Sequence, residues 1–257
     1  MNKAIFITVR TGSTRLPKKC LLKVNGKTNI EFLIERLKRS KKADMIVLCT
    51  TKLPEDTILC NIARKNGIKV FRGSVKDKLE RWLGAAKKYD ADFFVTADGD
   101  DLFSEPKLID LAFKQYEKTK CDFIEEKPGA SVPTGAFVCG VNVSALKVIC
   151  ALKSSKDTEM INKYFTQPNC FKVEKLKNIP LVLRRPEIRM TLDYKEDFKF
   201  FKTIIKHFVG EYFTLGDVIE YLDKHPEIIK INKFRHKDYL ENQKRIIERE
   251  LKNEKFN

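Results

Sequence analysis

Residues 3 to 126 alternate between two hydrophobic patterns, and that alternation constrains the fold more than any other feature of the chain. Unbroken apolar runs at "KAIFITV" (3–9), "MIVLCT" (45–50), "IKVFRG" (68–73) and "DFFVTA" (92–97) have the length and the β-branched and aromatic content of buried strands. "CDFIEE" (121–126) continues the series. Between the runs, "NIEFLIERLKRSKK" (29–42), "EDTILCNIARKNG" (55–67), "KDKLERWLGAAKKY" (76–89) and "EPKLIDLAFKQYEK" (105–118) space their apolar residues at helical intervals. Gly67 closes one of these helices and Pro106 opens another. Strands that alternate with helices need crossover connections, so the expected fold is α/β: a mostly parallel, mixed central sheet with helices on both faces. Ligands of such sheets bind at the carboxyl ends of the strands.

After residue 126 the rhythm changes. "KPGASVPTG" (127–135) reads as loop, "AFVCGVNV" (136–143) as strand, and residues 144–165 as one or two helices. "IRMTLDYKEDFKFFKTIIKHF" (188–208) reads as a strand, an acidic turn and a helix, and "TLGDVIEYLDKHPEI" (214–228) as a helix stopped near Pro226. The division expected is one domain over 1–233 and a charged helical extension over 234–257. The extension's loose stripe of Tyr239, Leu240, Ile246, Ile247 and Leu251 docks on the body or on a second copy, which leaves a homodimer open.

Composition narrows the partners. No stretch reaches the roughly 20 apolar residues of a membrane span, and the N-terminus lacks a small-residue cleavage site, so the expectation is a cytoplasmic protein with no membrane partner. Seven cysteines without CxxC spacing read as reduced core thiols. The net charge of +16 fits either a nucleic-acid face or a pocket for small polyanions. The basic residues are spread along the chain without interleaved aromatics, which favours the pocket and argues against nucleic acid. His207, His225 and His236 have no metal spacing and no nucleophile partner.

The chemistry concentrates where strands end. "VRTGSTRLPKKCL" (9–21) follows the first apolar run. Arg10, Arg15 and Lys19 supply fixed positive charge there, Ser13 and Thr14 supply hydroxyls, Gly12 permits an amide-lined turn, and Pro17 stiffens the loop. Converging amides and cations suit a triphosphate; an ordinary basic turn is the alternative. The loop is not a P-loop, because GxxxxGK[ST] is absent. In "TADGDD" (96–101) a carboxylate, Asp98, ends a buried run, where it is costly unless paired or bound to a hard divalent cation. Asp100 and Asp101 read more readily as turn or capping residues. Asp193 also follows an apolar run, so Asp98 and Asp193 could hold Mg²⁺ between them. A helix N-cap with Glu196 completing a capping box is the competing role for Asp193, and Asp197 reads as first-turn charge. Thr50 and Thr51 end the second strand, within reach of a base edge. Arg72 and Ser74 end the third, with Asp77 and Arg81 a helical turn beyond, where an Asp–Arg ion pair is the simple alternative.

"RTGSTRLPKKCL" resembles the loop "R-x-G-S-T-R-L-P-x-K-x-L" of the cytidylyltransferases that act in spore-coat polysaccharide synthesis and on acylneuraminate and KDO. "TTKLPEDTIL", "VFRGSVKDKLERW", "VTADGDDLFSEPKLID" and "RMTLDYKEDFKFF" resemble that family's later motifs in the same order, over about residues 3 to 225. The resemblance implies a GT-A-like nucleotidyltransferase fold. It also implies transfer of a nucleoside monophosphate, usually CMP from CTP, to a sugar or sugar acid, with Mg²⁺ and release of pyrophosphate. By position, Arg10, Gly12, Ser13, Arg15 and Lys19 would bind the triphosphate, with Arg15, Lys19 and Asp98 closest to the chemistry. Thr50 and Thr51 would lie near the base, and Arg72, Ser74 and Arg81 near the nucleotide. Asp98 and Asp193 would hold the metal, while "PTGAF" (133–137), with Gly135, and Glu159 would shape the acceptor pocket. Three departures stand out: Lys18 in place of the usual glycine, "ADGDDLF" in place of "ADCPLI", and "MINKYF" after Glu159 in place of "EHVTPYI". A GT-A glycosyltransferase using a finished nucleotide sugar, and a non-enzymatic nucleic-acid-binding module, are the rival readings.

Overall fold

The structure, a computed structural model, describes residues 1–126 and 130–251. The first part of the loop expected at 127–135 and the end of the extension, 252–257, lie outside the described residues. β1 (Lys3–Thr8) is followed by a short hairpin, β2 (Lys23–Val24) and β3 (Lys27–Thr28), and then by α1 (Asn29–Leu37), β4 (Met45–Thr51), α2 (Thr57–Lys65), β5 (Lys69–Gly73), α3 (Lys78–Tyr89), β6 (Phe93–Asp98), α4 (Pro106–Thr119) and β7 (Phe123–Glu125). The remainder holds β8 (Cys139–Asn142), α5 (Val143–Leu152), α6 (Asn162–Thr166), β9 (Val173–Lys175), α7 (Lys195–His207), α8 (Leu215–Lys224), a single turn α9 (Pro226–Ile229) and α10 (Arg235–Leu251).

Among the described residues, seven strands form one sheet in the order β5-β4-β1-β6-β8-β7-β9. All its pairings are parallel except those of β8, which runs antiparallel to β6 and β7. The mixed, mostly parallel α/β sheet read from the sequence is therefore the one observed. Alternate residues of the central strands feed two cores, the geometry that a strand covered on both faces requires. Ile5, Ile7 and Val95 pack with helices α1, α4, α7 and α8; Ala4, Phe6 and Phe94 pack with α3, α5 and α6. Phe6 and Phe94 stack across the β1–β6 pair with ring centroids 4.2 Å apart.

The stretch expected as a strand at 188–193 is not part of this sheet. It is an extended segment pinned elsewhere: Thr134 N–H donates to Ile188 O at 3.1 Å, Met190 N–H to Thr134 O at 2.8 Å, and Leu192 N–H to Asp100 O at 2.9 Å. Its apolar residues Ile188, Met190 and Leu192 are buried in the core, which gives it the pattern of a strand, while its pairing is an isolated parallel bridge between Thr134 and Arg189.

The topology positions the site. From β1 the chain winds out through β4 to β5, then crosses back to β6 on the other side of β1. β1 and β6 thus flank the point where the winding reverses, and a crevice opens there at the carboxyl edge. Register places Thr8 opposite Asp98, so the loop after β1 and the carboxylates after β6 leave the sheet side by side. Gly99 makes the close approach possible, because a Cβ there would sit 2.5 Å from Val9 Cγ2.

Candidate active site

A cleft of about 450 Å³ opens at this edge. The loop after β1 forms one side with Arg10, Gly12, Ser13, Thr14, Arg15 and Lys19. Lys76, Lys78 and Arg81, at the start of α3, form another part, together with Asp98 and Asp100 at the floor and Glu159 at the rim. Asn242, Ile246 and Arg249 of α10 complete the lining.

The loop is fixed from behind. Asp56 accepts from Thr11 N–H at 2.8 Å, from Thr11 Oγ1 at 2.8 Å and from the Thr51 hydroxyl, tying the loop to the end of β4. Lys18 adopts a left-handed conformation, φ 53°. Glycine enters that region without a Cβ penalty, which accounts physically for the glycine usual at this position. Gly12 itself is not in a positive-φ conformation, and a Cβ there would meet no atom within 4 Å. The turn does not require glycine, contrary to the expectation from the sequence; the residue leaves room on the wall of the cleft.

Lys19 is the hub. Its Nζ donates to Asp100 Oδ2 at 2.5 Å and to Asp193 Oδ1 at 2.9 Å. Burial disfavours its charge, but Asp100 and Asp193 outweigh that, and the pKa rises above its ordinary value. Arg15 Nη2 reaches the same Asp193 oxygen at 2.5 Å, and Arg189 Nη2 reaches the other oxygen at 3.3 Å. Burial would raise the Asp193 carboxyl, but these cations, Lys19 first, hold it below the ordinary range. Asp193 is therefore an anchor for the loop's cations.

The carboxylates of Asp98, Asp100 and Asp101 converge, with one oxygen of each within 4.8 Å of the others. The sequence reading pairs Asp98 with Asp193; in the structure Asp193 is engaged by Arg15, Lys19 and Arg189, and the carboxylates that converge with Asp98 are Asp100 and Asp101. Asp98 accepts from Lys78 Nζ at 3.0 Å. Burial, followed by the charges of Asp100 and Asp98, pushes the Asp101 carboxyl well above the ordinary range. Asp100 is raised too: burial and the charges of Asp193 and Asp98 outweigh Lys19. Three converging carboxylates are hard oxygen donors of the kind a divalent cation takes.

Several residues singled out from the sequence lie elsewhere. Thr50 and Thr51 are fully buried and outside the lining of the cleft, with the Thr51 hydroxyl committed to Asp56. Arg72 donates to Thr51 O at 3.0 Å and Leu53 O at 2.7 Å, so it braces the turn after β4. Ser74 Oγ accepts from Asp77 N–H at 3.1 Å, and its carbonyl accepts from Arg81 Nη1 at 2.7 Å. Asp77 pairs with Lys153 and accepts from Thr158 Oγ1 at 2.9 Å, so its carboxylate does not pair with Arg81, which lines the cleft while donating to Ser74 O. Gly135, with φ 92°, lies behind Asp101, where a Cβ would come 2.7 Å from Asp101 Oδ1. It supports the acidic trio and does not line the cleft.

The sequence reading missed Lys78, Asn242 and Arg249, and it read Asp100 first as a turn or capping residue and Ile246 only as part of a docking stripe, where both line the cleft. It also misjudged Asp197, which is fully buried in a bidentate pair with Arg189 (2.8 and 2.9 Å). Asp197 also caps the N-terminus of α7, accepting from Asp193 N–H and Tyr194 N–H at 2.9 Å each. The capping carboxylate is thus Asp197 in place of Glu196, which instead pairs with Arg235 of α10 at 3.0 Å. The clue was "RMTLDYKED": a lone arginine on an otherwise apolar run needs a buried counter-charge.

Comparison with known proteins agrees with this geometry. The chain is 37% identical to an uncharacterised protein of Methanocaldococcus jannaschii over 92% of this chain and 97% of that one. It is 28% identical to the spore coat polysaccharide biosynthesis protein SpsF of Bacillus subtilis over 88% of this chain and 97% of that one. The solved structure of a cytidylyltransferase from Leptospira borgpetersenii superimposes with a TM-score of 0.80 at 31% identity, covering 89% of this chain and 97% of that one. The sequence model of the cytidylyltransferase family matches residues 4–246, from the first strand through most of α10. With a cationic loop and a carboxylate trio meeting at the switch point of a sheet shared with these relatives, the chain belongs to the cytidylyltransferase family and is an enzyme of that type.

Proposed function

We propose that the enzyme transfers CMP from CTP to an anionic sugar, a sugar acid or a sugar phosphate, and releases pyrophosphate. One observation carries the reading: the loop cations Arg15 and Lys19 share one cleft with the carboxylates Asp98 and Asp100, and the buried Asp101 converges on those two from behind. The cations suit the triphosphate, and the carboxylates suit the metal that accompanies it. The carboxylate trio has the donor chemistry to hold Mg²⁺, which would neutralise charge on the transferring phosphoryl group.

The residues' own contributions follow from their surroundings. Arg10, Ser13 and Arg15 face the cleft and would bind phosphate oxygens. Lys19 stays protonated and enters as fixed charge close to the carboxylates. An acceptor oxygen attacks the α-phosphorus, a P–O bond forms, and the bond to the pyrophosphate oxygen breaks. No covalent enzyme intermediate is needed, so the chain contributes positioning and charge stabilisation. Use of CTP and the unpaired state of the seven cysteines fit a cytoplasmic enzyme.

Thermal denaturation with CTP, UTP, GTP and ATP, each with and without Mg²⁺, tests this without knowledge of the acceptor. A nucleotide at 100 times its dissociation constant stabilises by about 2.7 kcal/mol. In a chain of this size that raises the midpoint by several degrees. The expected result is a shift with CTP that Mg²⁺ enlarges and Asp98→Asn abolishes. No shift with any nucleotide would overturn the proposal, and equal shifts with all four would remove the preference for cytosine.

A further inference from the structure

The inward face of α10 is chemically unusual. Arg235, Tyr239, Asn242, Ile246 and Arg249 follow one another at intervals of four, three, four and three residues, which places them on one face of a helix about 25 Å long. A helix that docks only for stability fills such a stripe with apolar side chains. Here the first two positions do fasten the helix. Arg235 donates to Glu196 at 3.1 and 3.0 Å, and the Tyr239 ring lies 4.9 Å under the Arg189 guanidinium. The next three positions line the cleft, and two of them are polar. Arg249 lies 3.6 Å from Glu159, both half-exposed at the rim. The more apolar neighbour Leu240 points away and is 47% exposed.

Resting on the cytidylyltransferase reading, we propose that α10 is the acceptor-recognising wall of the cleft, with Arg249 binding the anionic group of the sugar and Asn242 its hydroxyls. In the absence of acceptor, Glu159 holds the guanidinium in place; the acceptor's carboxylate or phosphate takes over that contact. A guanidinium offers five donors in a planar fork that fits either group. Ile246, between the two polar residues, gives the apolar face of the ring a surface. Recognition by α10 separates acceptor choice from the phosphate loop, whose cations Arg15 and Lys19 are tied to Asp193.

The test measures pyrophosphate release with four probes: N-acetylneuraminate and 3-deoxy-manno-octulosonate as sugar acids, glucose 1-phosphate as a sugar phosphate, and glucose as a neutral control. The sugar acids and the sugar phosphate tell the two sources of negative charge apart. Arg249→Ala raises the KM of the active probe roughly 10- to 100-fold, the range for a lost hydrogen bond to a charged group. Its CTP-induced thermal shift stays at the wild-type value. Glu159→Gln separates recognition from simple tethering. If Arg249 binds the acceptor, removing its competitor lowers KM; if the pair only ties α10 down, both variants raise it and the proposal falls. Leu240→Ala, on the outer face, leaves KM unchanged. A rise in the KM of CTP instead of the sugar's, an unchanged acceptor KM in Arg249→Ala, or turnover of glucose alone would also overturn the assignment. Failure of the underlying reading has a different signature, which is the absence of any CTP-induced shift in the wild-type protein.

Discussion

Two buried ionic networks in this molecule are built on opposite principles. In one, Arg36 on α1 donates to Glu105 Oε2 at 2.9 Å, to Ser104 O at 3.0 Å and to Phe213 O at 2.8 Å. Glu105 in turn accepts from Leu215 N–H at 2.9 Å and from Lys107 N–H at 3.1 Å. Each charge meets its opposite, both side chains are at most 3% exposed, and the network joins α1, α4 and the start of α8. In the other, Lys19, Arg15 and Arg189 surround Asp193, while Asp98, Asp100 and Asp101 crowd one another beside an open cleft. The first network is complete within the protein. The second crowds three carboxylates beside a group of cations at an open cleft and raises the Asp100 and Asp101 carboxyls, an arrangement that marks a functional site.

The comparison can be broken at either end. The largest effect falls on the closed network. Arg36→Ala leaves Glu105 buried without its partner and costs about 3–5 kcal/mol. Denaturant unfolding would register this as a lower midpoint, while turnover per folded molecule stays near wild type. A loss below about 1 kcal/mol would mean that the network is not a structural lock. Lys19→Ala should behave in the opposite way, with a fall in kcat/KM of at least ~100-fold, by analogy with loss of one donor to developing charge. Full activity would place Lys19 outside the chemistry.

Asp101→Asn sharpens the contrast through stability. A carboxyl raised in the folded state binds its proton more tightly there than in the unfolded chain, so its contribution to stability falls as pH rises above the ordinary 3.8. Removing the charge should therefore raise the midpoint at pH 7, by about 2–4 °C for each kcal/mol relieved. The gain should shrink towards pH 4, where wild-type Asp101 is already protonated. A loss at pH 7, or a gain of equal size at both pH values, would count against repulsion within the trio. The smallest effect belongs to a solvated pair: Lys224 and Glu220, 2.7 Å apart and both about two-thirds exposed, lie one turn apart on α8. Lys224→Ala should change stability by less than about 0.5 kcal/mol.

Local pattern made part of the site legible. Arg10, Gly12, Ser13, Arg15, Lys19, Arg81, Asp98 and Glu159 were all singled out from the sequence, and all line the cleft. Most of them sit just after apolar runs that the sheet arranges along one edge, so strand order carries them together. Thr51 and Arg72 sit after such runs too, yet their side chains turn inward to satisfy Asp56 and backbone carbonyls. Position at a strand end says which edge a residue occupies, and the competition for hydrogen-bond partners decides where its side chain points. The segment at 188–193 shows the same limit, because an apolar run records burial and not the identity of its neighbours.

By itself, the sequence determined the alternation of strands and helices from residue 3 to residue 126, the mostly parallel sheet, and the edge where charged loops gather, because periodicity is a local property of the chain. The tertiary structure alone decided that Lys19 bridges Asp100 and Asp193, residues 81 and 174 positions away from it. It also decided that Asp193 faces cations while Asp98, Asp100 and Asp101 crowd together, and that a helix from the charged tail closes the cleft. These are contacts between distant segments, and their geometry and electrostatics exist only once the sheet has brought those segments within a few ångströms of one another.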